Sequence, residues 1–356
     1  MSPLVLRRYR RSVMILIGAL APLCVACGTR EAGGVRELVV DRATPVITSE
    51  SELLGAPVDM VVVGGDLYVL DGRPARVVVI PADASAPRMI GRAGSGPGEL
   101  RFPAALAVSD DVIRVVDVGN ARVQLYALDG RALGQAPVPP AVRGGPAAIR
   151  ADGWIVVGTG GRDSALAEYF DAEGNERGRF GEPVVPPVAV WDFVAIKNEI
   201  VSGNVPDALR NNTRPAFATA GGFWLALLAD PVVQRYGTSG ELSWSVVLDE
   251  PQFATIREDF IARNRAEASP SALITLRYVT DAAEVAGRLW LLLATRDDAP
   301  TVVLVIGPDG AVERRMRFTD VRGGALFAVD ETTRMAYFAV PSAAEVVSVF
   351  LPKDVF

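Results

Sequence analysis

The chain predicts an all-β fold, a six-bladed β-propeller closed by an N-terminal strand and carrying a short helical insertion. Three observations carry that expectation. The stretch from Arg88 to Gly130 spells one four-stranded unit, looser copies of it follow the same rhythm elsewhere, and the last copy is one strand short. Small antiparallel sheets recurring at a near-constant period are the mark of blades set around an axis.

In the most explicit unit, Pro103 opens an inner strand where its missing N–H costs least, and Ala104 to Val108 continue it with residues small enough for a crowded axis. Ser109, Asp110 and Asp111 then turn the chain, and Val112 to Val116 make a second strand ended by Asp117, Gly119 and Asn120. Arg122 to Leu128 alternates apolar and polar residues as a third strand, Asp129-Gly130 supplies a hairpin turn, and Ala132 to Val138 serves as the outer strand.

The unit preceding it repeats the pattern about 46 residues earlier, with Pro57 to Val63, Leu67 to Leu70 and an Asp71…Arg76-Val77 spacing matching Asp117…Arg122-Val123. Pro87 to Arg92 is its outer strand. A third blade takes Trp154 to Val157, Ala165 to Phe170 and the turn Asp171 to Gly174. The fourth takes Ala216 to Ala220, Phe223 to Leu228 and Val232 to Tyr236. For the fifth the expectation is Leu273 to Val279, Leu289 to Ala294 and Thr301 to Ile306, and for the sixth Ala325 to Val329, Met335 to Val340 and Glu345 to Phe350. The strand missing from the sixth is assigned to Glu37 to Thr48, which removes the free sheet edge. Seven blades would require residues 184–205 to form a further sheet.

The explicit unit resembles the NHL repeat of β-propellers. The residues that carry the resemblance are Gly91, Gly94, Gly96 and Gly98, then Phe102-Pro103, Asp117-x-x-Asn120-x-Arg122-Val123 and Asp129-Gly130. They span about forty residues and one blade only. The resemblance implies a propeller with its loops gathered at the two mouths of a central channel.

Two insertions interrupt the rhythm, at residues 184–212 and 249–270. The first is flanked by proline and reads as irregular. The second sets Phe253, Ile256, Phe260 and Ile261 at helical spacing, with Arg257, Arg263 and Arg265 elsewhere, and predicts an amphipathic helix. Both lie between an outer strand and the next inner strand, so they share one propeller face with the loop Gly94 to Arg101 and the turns bearing Asn120 and Arg122. Arg76, Arg101, Phe102, Asn120 and Arg122 are therefore the candidate binding residues at that channel mouth. The competing reading of Arg76 and Arg122 is structural, each with its Asp securing the loop to the next blade.

The N-terminus reads as an export signal over residues 1–27. Arg7, Arg8, Arg10 and Arg11 form a basic region, Val13 to Val25 an apolar run too short to span a bilayer comfortably, and Cys24-Val25-Ala26-Cys27 resembles a bacterial lipobox with Cys24 where leucine is usual. That resemblance implies a lipid on Cys27, a tether over residues 28–35, and a propeller over 36–356 held to the cell envelope, periplasmic or outer-membrane. With Cys24 in the leader and Cys27 modified, no cysteine remains for a disulfide or thiol chemistry. The net charge of −6 becomes more negative once the leader arginines leave, which disfavours nucleic acid as a partner.

The chain contains no histidine, which excludes histidine triads, histidine general bases and histidine-ligated metals. Propeller activities of the amidating-lyase or paraoxonase kind lean on histidine and do not transfer. A calcium-dependent lactonase or esterase of the gluconolactonase type needs only Glu, Asn and Asp; Asp59, Asp192, Asp207, Glu284 and Asp330 are examples of carboxylates it could use, against the reading that scattered acids are solvated surface. Trp154, Trp224, Trp290, Tyr68 and Tyr337 open second strands and read as core between sheets, with a carbohydrate platform as the competing reading. The glycine loop precedes a strand and lacks the Lys-Ser/Thr ending, so it is no phosphate cradle. The expectation is a monomeric, non-enzymatic binding or assembly module that takes a protein or small polar ligand at one face, without cofactor; calcium belongs only to the lactonase alternative.

Overall fold

The computed structural model describes residues 35–109, 111–138, 146–188 and 191–356, and residues 35–356 form one compact unit. The expectations for residues 1–34, the export signal and Cys27 among them, and for the turn residue Asp110 lie outside the described residues. Six small sheets, each with its strands in spatial sequence from axis to rim, make a six-bladed β-propeller.

The first blade comprises Pro57–Val63, Asp66–Gly72, Ala75–Ile80 and Arg88–Ile90, and the second Pro103–Val108, Val112–Asp117, Arg122–Ala127 and Ala132–Pro137. Ala147–Ile149, Ile155–Gly158, Ala167–Phe170 and Glu176–Phe180 make the third. Thr213–Phe217, Phe223–Leu227, Val232–Tyr236 and Leu242–Val247 make the fourth. The fifth has Val279–Val285, Arg288–Leu293, Pro300–Ile306 and Val312–Arg322. The sixth has Leu326–Asp330, Met335–Val340 and Glu345–Phe350.

Apolar residues fill the spaces between neighbouring sheets. Tyr68, Leu70 and Val77 of the first blade pack on Leu106, Ile113 and Val115 of the second, and Trp290 and Leu292 of the fifth share a cluster with Phe338 and Val349 of the sixth. Trp224 and Trp290 are fully buried there, as their positions at second strands predict. Each blade covers one face of the next, so alternation along a strand feeds two different interfaces.

Four expectations need correction. Residues 37–48 are not one closing strand. Thr44–Ile47 pairs antiparallel with Glu345–Phe350 and closes the sixth blade, but Arg36–Val40 runs parallel to Val312–Arg322 as a fifth strand on blade five. The break falls at Arg42, whose φ is 68° and whose N–H donates to Asp320 Oδ2 at 2.8 Å. Glu37, opposite Arg315 in this register, lies 3.4 Å from that residue and 3.5 Å from Arg317, an ionic reason for the placement.

The inner strands of blades four and five are also displaced, beginning at Thr213 instead of Ala216 and at Val279 instead of Leu273. In the fifth blade the apolar run Leu273, Ile274, Leu276 packs beneath the inserted helix and not on the axis. The third blade gains an inner strand, Ala147–Ile149, that composition alone did not mark. Finally, the first insertion is not irregular. It forms α1, Phe193–Val201, with Asp192 as its N-cap accepting from the N–H groups of Val194 and Ala195, and α2, Asp207–Arg210, so its described residues add helices and not a seventh blade.

The helix of the second insertion is as expected. It is α3, Gln252–Ala266, with Phe253 and Phe260 buried. It is bound to its surroundings through backbone carbonyls: Arg257 donates to Gly203 O at 2.8 Å, Arg265 to Val201 O, and the buried Lys197 of α1 to Glu267 O at 2.7 Å and to Ser269 O. These bonds make α1 and α3 one rigid cover over the same end of blades four and five.

Candidate functional site

Each inner strand is entered from the face that carries the insertions, so residues early in an inner strand lie at that end of the channel. Asp59, Arg214 and Asp281 are all within the first three residues of their strands, on blades one, four and five. A β-bulge between Pro57 and Asp59, repeated between Val279 and Asp281, gives the two acids the same placement. Each then bridges blades in the same way. Asp59 accepts the N–H of Met60 at 2.9 Å and, across the blade boundary, that of Leu106 at 2.7 Å. Asp281 accepts from Ala282 at 2.9 Å and from Phe327 of the sixth blade at 3.0 Å.

Arg214 donates through Nη2 to Asp281 Oδ1 at 2.5 Å, and its charge also reaches Asp59. Burial pushes the Asp59 carboxyl up, Arg214 partly offsets this, and Asp281 adds to it, leaving the group at about 7. The cluster thus carries one carboxyl that exchanges a proton near neutrality. Arg277, just ahead of the fifth inner strand, has a lowered pKa from burial first and then from Arg214. It makes no ion pair or hydrogen bond among the described residues.

The other half of the channel holds a cavity of about 290 Å³, walled by Val61, Val108, Ile149 and Ala283 with Arg150 and Glu284 at its edge. Glu284 accepts from Thr219 N at 2.9 Å and from the buried Trp224 Nε1 at 2.7 Å. Arg150 pairs with Asp152 at 2.6 Å and stacks on Phe217 and Trp154.

The residues expected at the mouth have well-defined surroundings. Asp117 Oδ1 accepts the N–H of Arg101 at 2.6 Å, while Oδ2 accepts from Asn120 Nδ2 at 2.7 Å and Arg122 Nε at 3.2 Å. Arg122 continues to the carbonyls of Gly96 and Glu99, and Asn120 to that of Gly94. Gly119 is required here because a Cβ would stand 2.3 Å from Arg101 O, the acceptor of its own N–H.

Arg76 does the equivalent for the first blade by donating to Leu53 O at 2.9 Å, and Asp71 accepts from Gly55, Ala56 and Arg73. In both blades the Asp and Arg hold the loop that enters their own sheet. Arg101 and Phe102 are exposed beside them, Phe102 at 64%, with the guanidinium 5.8 Å from the ring.

The five carboxylates considered for a metal do not converge. Asp192 caps α1, Asp207 opens α2 beside Arg210, Asp330 accepts from Thr332 and Thr333 in a turn, and Asp59 and Glu284 occupy opposite ends of the channel. No group of three acidic, cysteine or histidine residues suited to a metal occurs among the described residues. Sequence reasoning missed Asp281, Arg214 and Arg277. The missed signal was the shared spacing in Pro57-Val58-Asp59 and Val279-Thr280-Asp281, hidden while the fifth inner strand was placed too early.

A larger cleft, about 580 Å³, opens between α3 and the fifth blade. Ile256, Phe260, Leu276 and Val302 give it an apolar lining, and Arg263, Arg277, Arg296, Arg315 and Arg317 surround it with only Asp259 as acid.

Fold and site together define the class: a six-bladed β-propeller protein with a charged channel end and an adjoining cleft under an inserted helical cover. No protein-family model matches the chain, and no curated protein matches it. Among solved structures it is similar to a calcium-binding protein, regucalcin, from Agrobacterium tumefaciens, at 10% identity and a TM-score of 0.51 over 89% of this chain and 95% of that one. It is likewise similar to a luciferin-regenerating enzyme, at 11% identity and a TM-score of 0.50 over 87% and 96%. A virginiamycin B lyase from Staphylococcus aureus aligns at 10% identity with a TM-score of 0.49 over 87% and 99%.

Proposed function

We propose that the protein is an exported NHL-like propeller, anchored in the bacterial envelope through a lipid on Cys27, that acts as a non-enzymatic binding module at the face bearing its helical insertions. The observation that carries this reading is Arg214. It places a fixed positive charge against Asp281 and within reach of Asp59, so the acids at the channel end have a protein cation as counter-ion. Their remaining oxygens accept backbone N–H groups of the next blade, a bracing role.

The lactonase alternative draws on one feature, the Asp59 carboxyl near 7, a value suited to proton transfer at neutral pH. Calorimetric titration with calcium, combined with hydrolysis assays on simple lactones, separates the two. The binding reading expects no calcium heat and no turnover; calcium-dependent hydrolysis lost in Asp59→Asn overturns it. For the anchor, Cys27→Ser is expected to move the protein from the membrane to the soluble fraction and to abolish metabolic labelling with palmitate. Unchanged fractionation would remove the lipid from the account.

A further inference from the structure

We propose that the cleft between α3 and the fifth blade binds an amphipathic monocarboxylate, with its carboxylate on Arg277 and Thr295 and its apolar body against Ile256, Phe260, Leu276 and Val302. This rests on the binding-module reading and names the ligand class that the module takes. A cleft of about 580 Å³ lies within the usual range for small-molecule sites.

The cleft is preformed. Its roof, α3, is tied down by Asn264, which donates to Ile274 O at 2.9 Å and accepts from Ile274 N at 3.0 Å, and by Gln252, which donates to Ala294 O at 2.7 Å. A rigid roof means that a ligand need not order the helix when it enters.

The charge balance points to a single negative group. Arg263 has Asp259 at 3.8 Å, Arg296 has Asp298 at 3.2 Å, Arg315 has Glu250 at 3.0 Å, and Arg317 has Glu37 at 3.5 Å. Arg277 alone of the five lining arginines has no acidic partner among the described residues. It opens to the cleft, yet it is crowded by protein and by Arg214, and both disfavour its charge. An anion offsets the cost of that charge by its opposite sign, and the planar guanidinium fork matches a carboxylate with two parallel hydrogen bonds.

Thr295 adds a second, independent sign. Its Oγ1 is buried with no hydrogen-bond partner among the described residues, although its side chain lines this cleft and the polar recess beside it. Buried hydroxyls are ordinarily satisfied, so this one has donor capacity left over beside the cleft.

The test is calorimetric titration of the full chain with dodecanoate below its micellar range, with dodecanol as the uncharged comparison. The expected result is one dodecanoate per chain, bound at least tenfold more tightly than dodecanol. Arg277→Gln should weaken dodecanoate at least tenfold and leave dodecanol unchanged. Thr295→Val should weaken dodecanoate about threefold, and Ile256→Trp, which fills the cleft, should remove both ligands. Arg277 has no internal partner to lose, and the melting temperature of Arg277→Gln should confirm that its fold is intact. Equal affinity for the two ligands, no dodecanoate binding, or dodecanoate binding unmoved by Arg277→Gln overturns the assignment. Those failures leave the binding-module reading standing, whereas calcium-dependent lactone turnover would end that reading whatever the cleft binds.

Discussion

Asp117 is fully buried and Arg122 is 9% exposed, so the pair is a desolvated ion pair whose charges depend on each other. Arg122→Ala leaves a carboxylate in the interior and frees the loop carbonyls of Gly96 and Glu99. The expected loss is about 3–5 kcal/mol in urea unfolding. Arg122→Lys keeps the charge but not the fork, and should fall between the variant and the wild type. Asp59 makes the opposite kind of prediction. Its native value of about 7 lies above its ordinary 3.8, so the folded protein holds this proton more tightly than the unfolded chain does. The stabilisation from protonation is complete below pH ~4 and is lost as pH rises through ~7. Asp59→Asn forfeits one backbone bond and starts lower, but the gap between its stability and that of the wild type should narrow steadily from pH 4 to 7.5. A constant gap in denaturant melts across that range would show that Asp59 does not titrate there. Of these residues, Asp117, Asn120 and Arg122 were legible because their spacing is local and repeats at Asp71 and Arg76. Asp281, Arg214 and Arg277 were not, since the inner strands of two different blades bring their charges together and no short spacing records that.

At the level of elements, the helix α3 was readable because its apolar positions follow a helical period over fifteen residues, long enough to outweigh its many charges. The helix α1 was hidden by prolines nearby and by an apolar content, including Val194 and Val201, that remains on its surface. The closing segment shows the same limit. Leu38, Val40 and Ile47 all read as strand, yet only pairing register decides which sheet receives each piece. Ile47 is 1% exposed in the space between blades six and one. Ile47→Ala should cost about 2–5 kcal/mol and sharpen proteolysis at the N-terminus, since it empties the seam of the ring. Val39, exposed on the added strand of blade five, offers the matched control: Val39→Ala should lie within about 0.5 kcal/mol of wild type.

For the whole molecule, the six sheets were legible as a rhythm of turns and aromatic second strands, whereas the length of each inner strand was not, because small residues at the axis carry little pattern. The double use of the N-terminal segment has a mechanical consequence. A pull applied at the N-terminal end meets Arg36–Val40 first, on blade five, and reaches the seam on blade six only after that strip has peeled away. The strip is a fuse for the ring, releasing about 30 Å of slack from residues 36–43 before the closure is loaded. Single-molecule stretching from the N-terminus should therefore record a short yielding step ahead of the main rupture. Deleting residues 36–40 should erase the first event and leave the second, and a single rupture in the intact chain would mean that the two strands share the load.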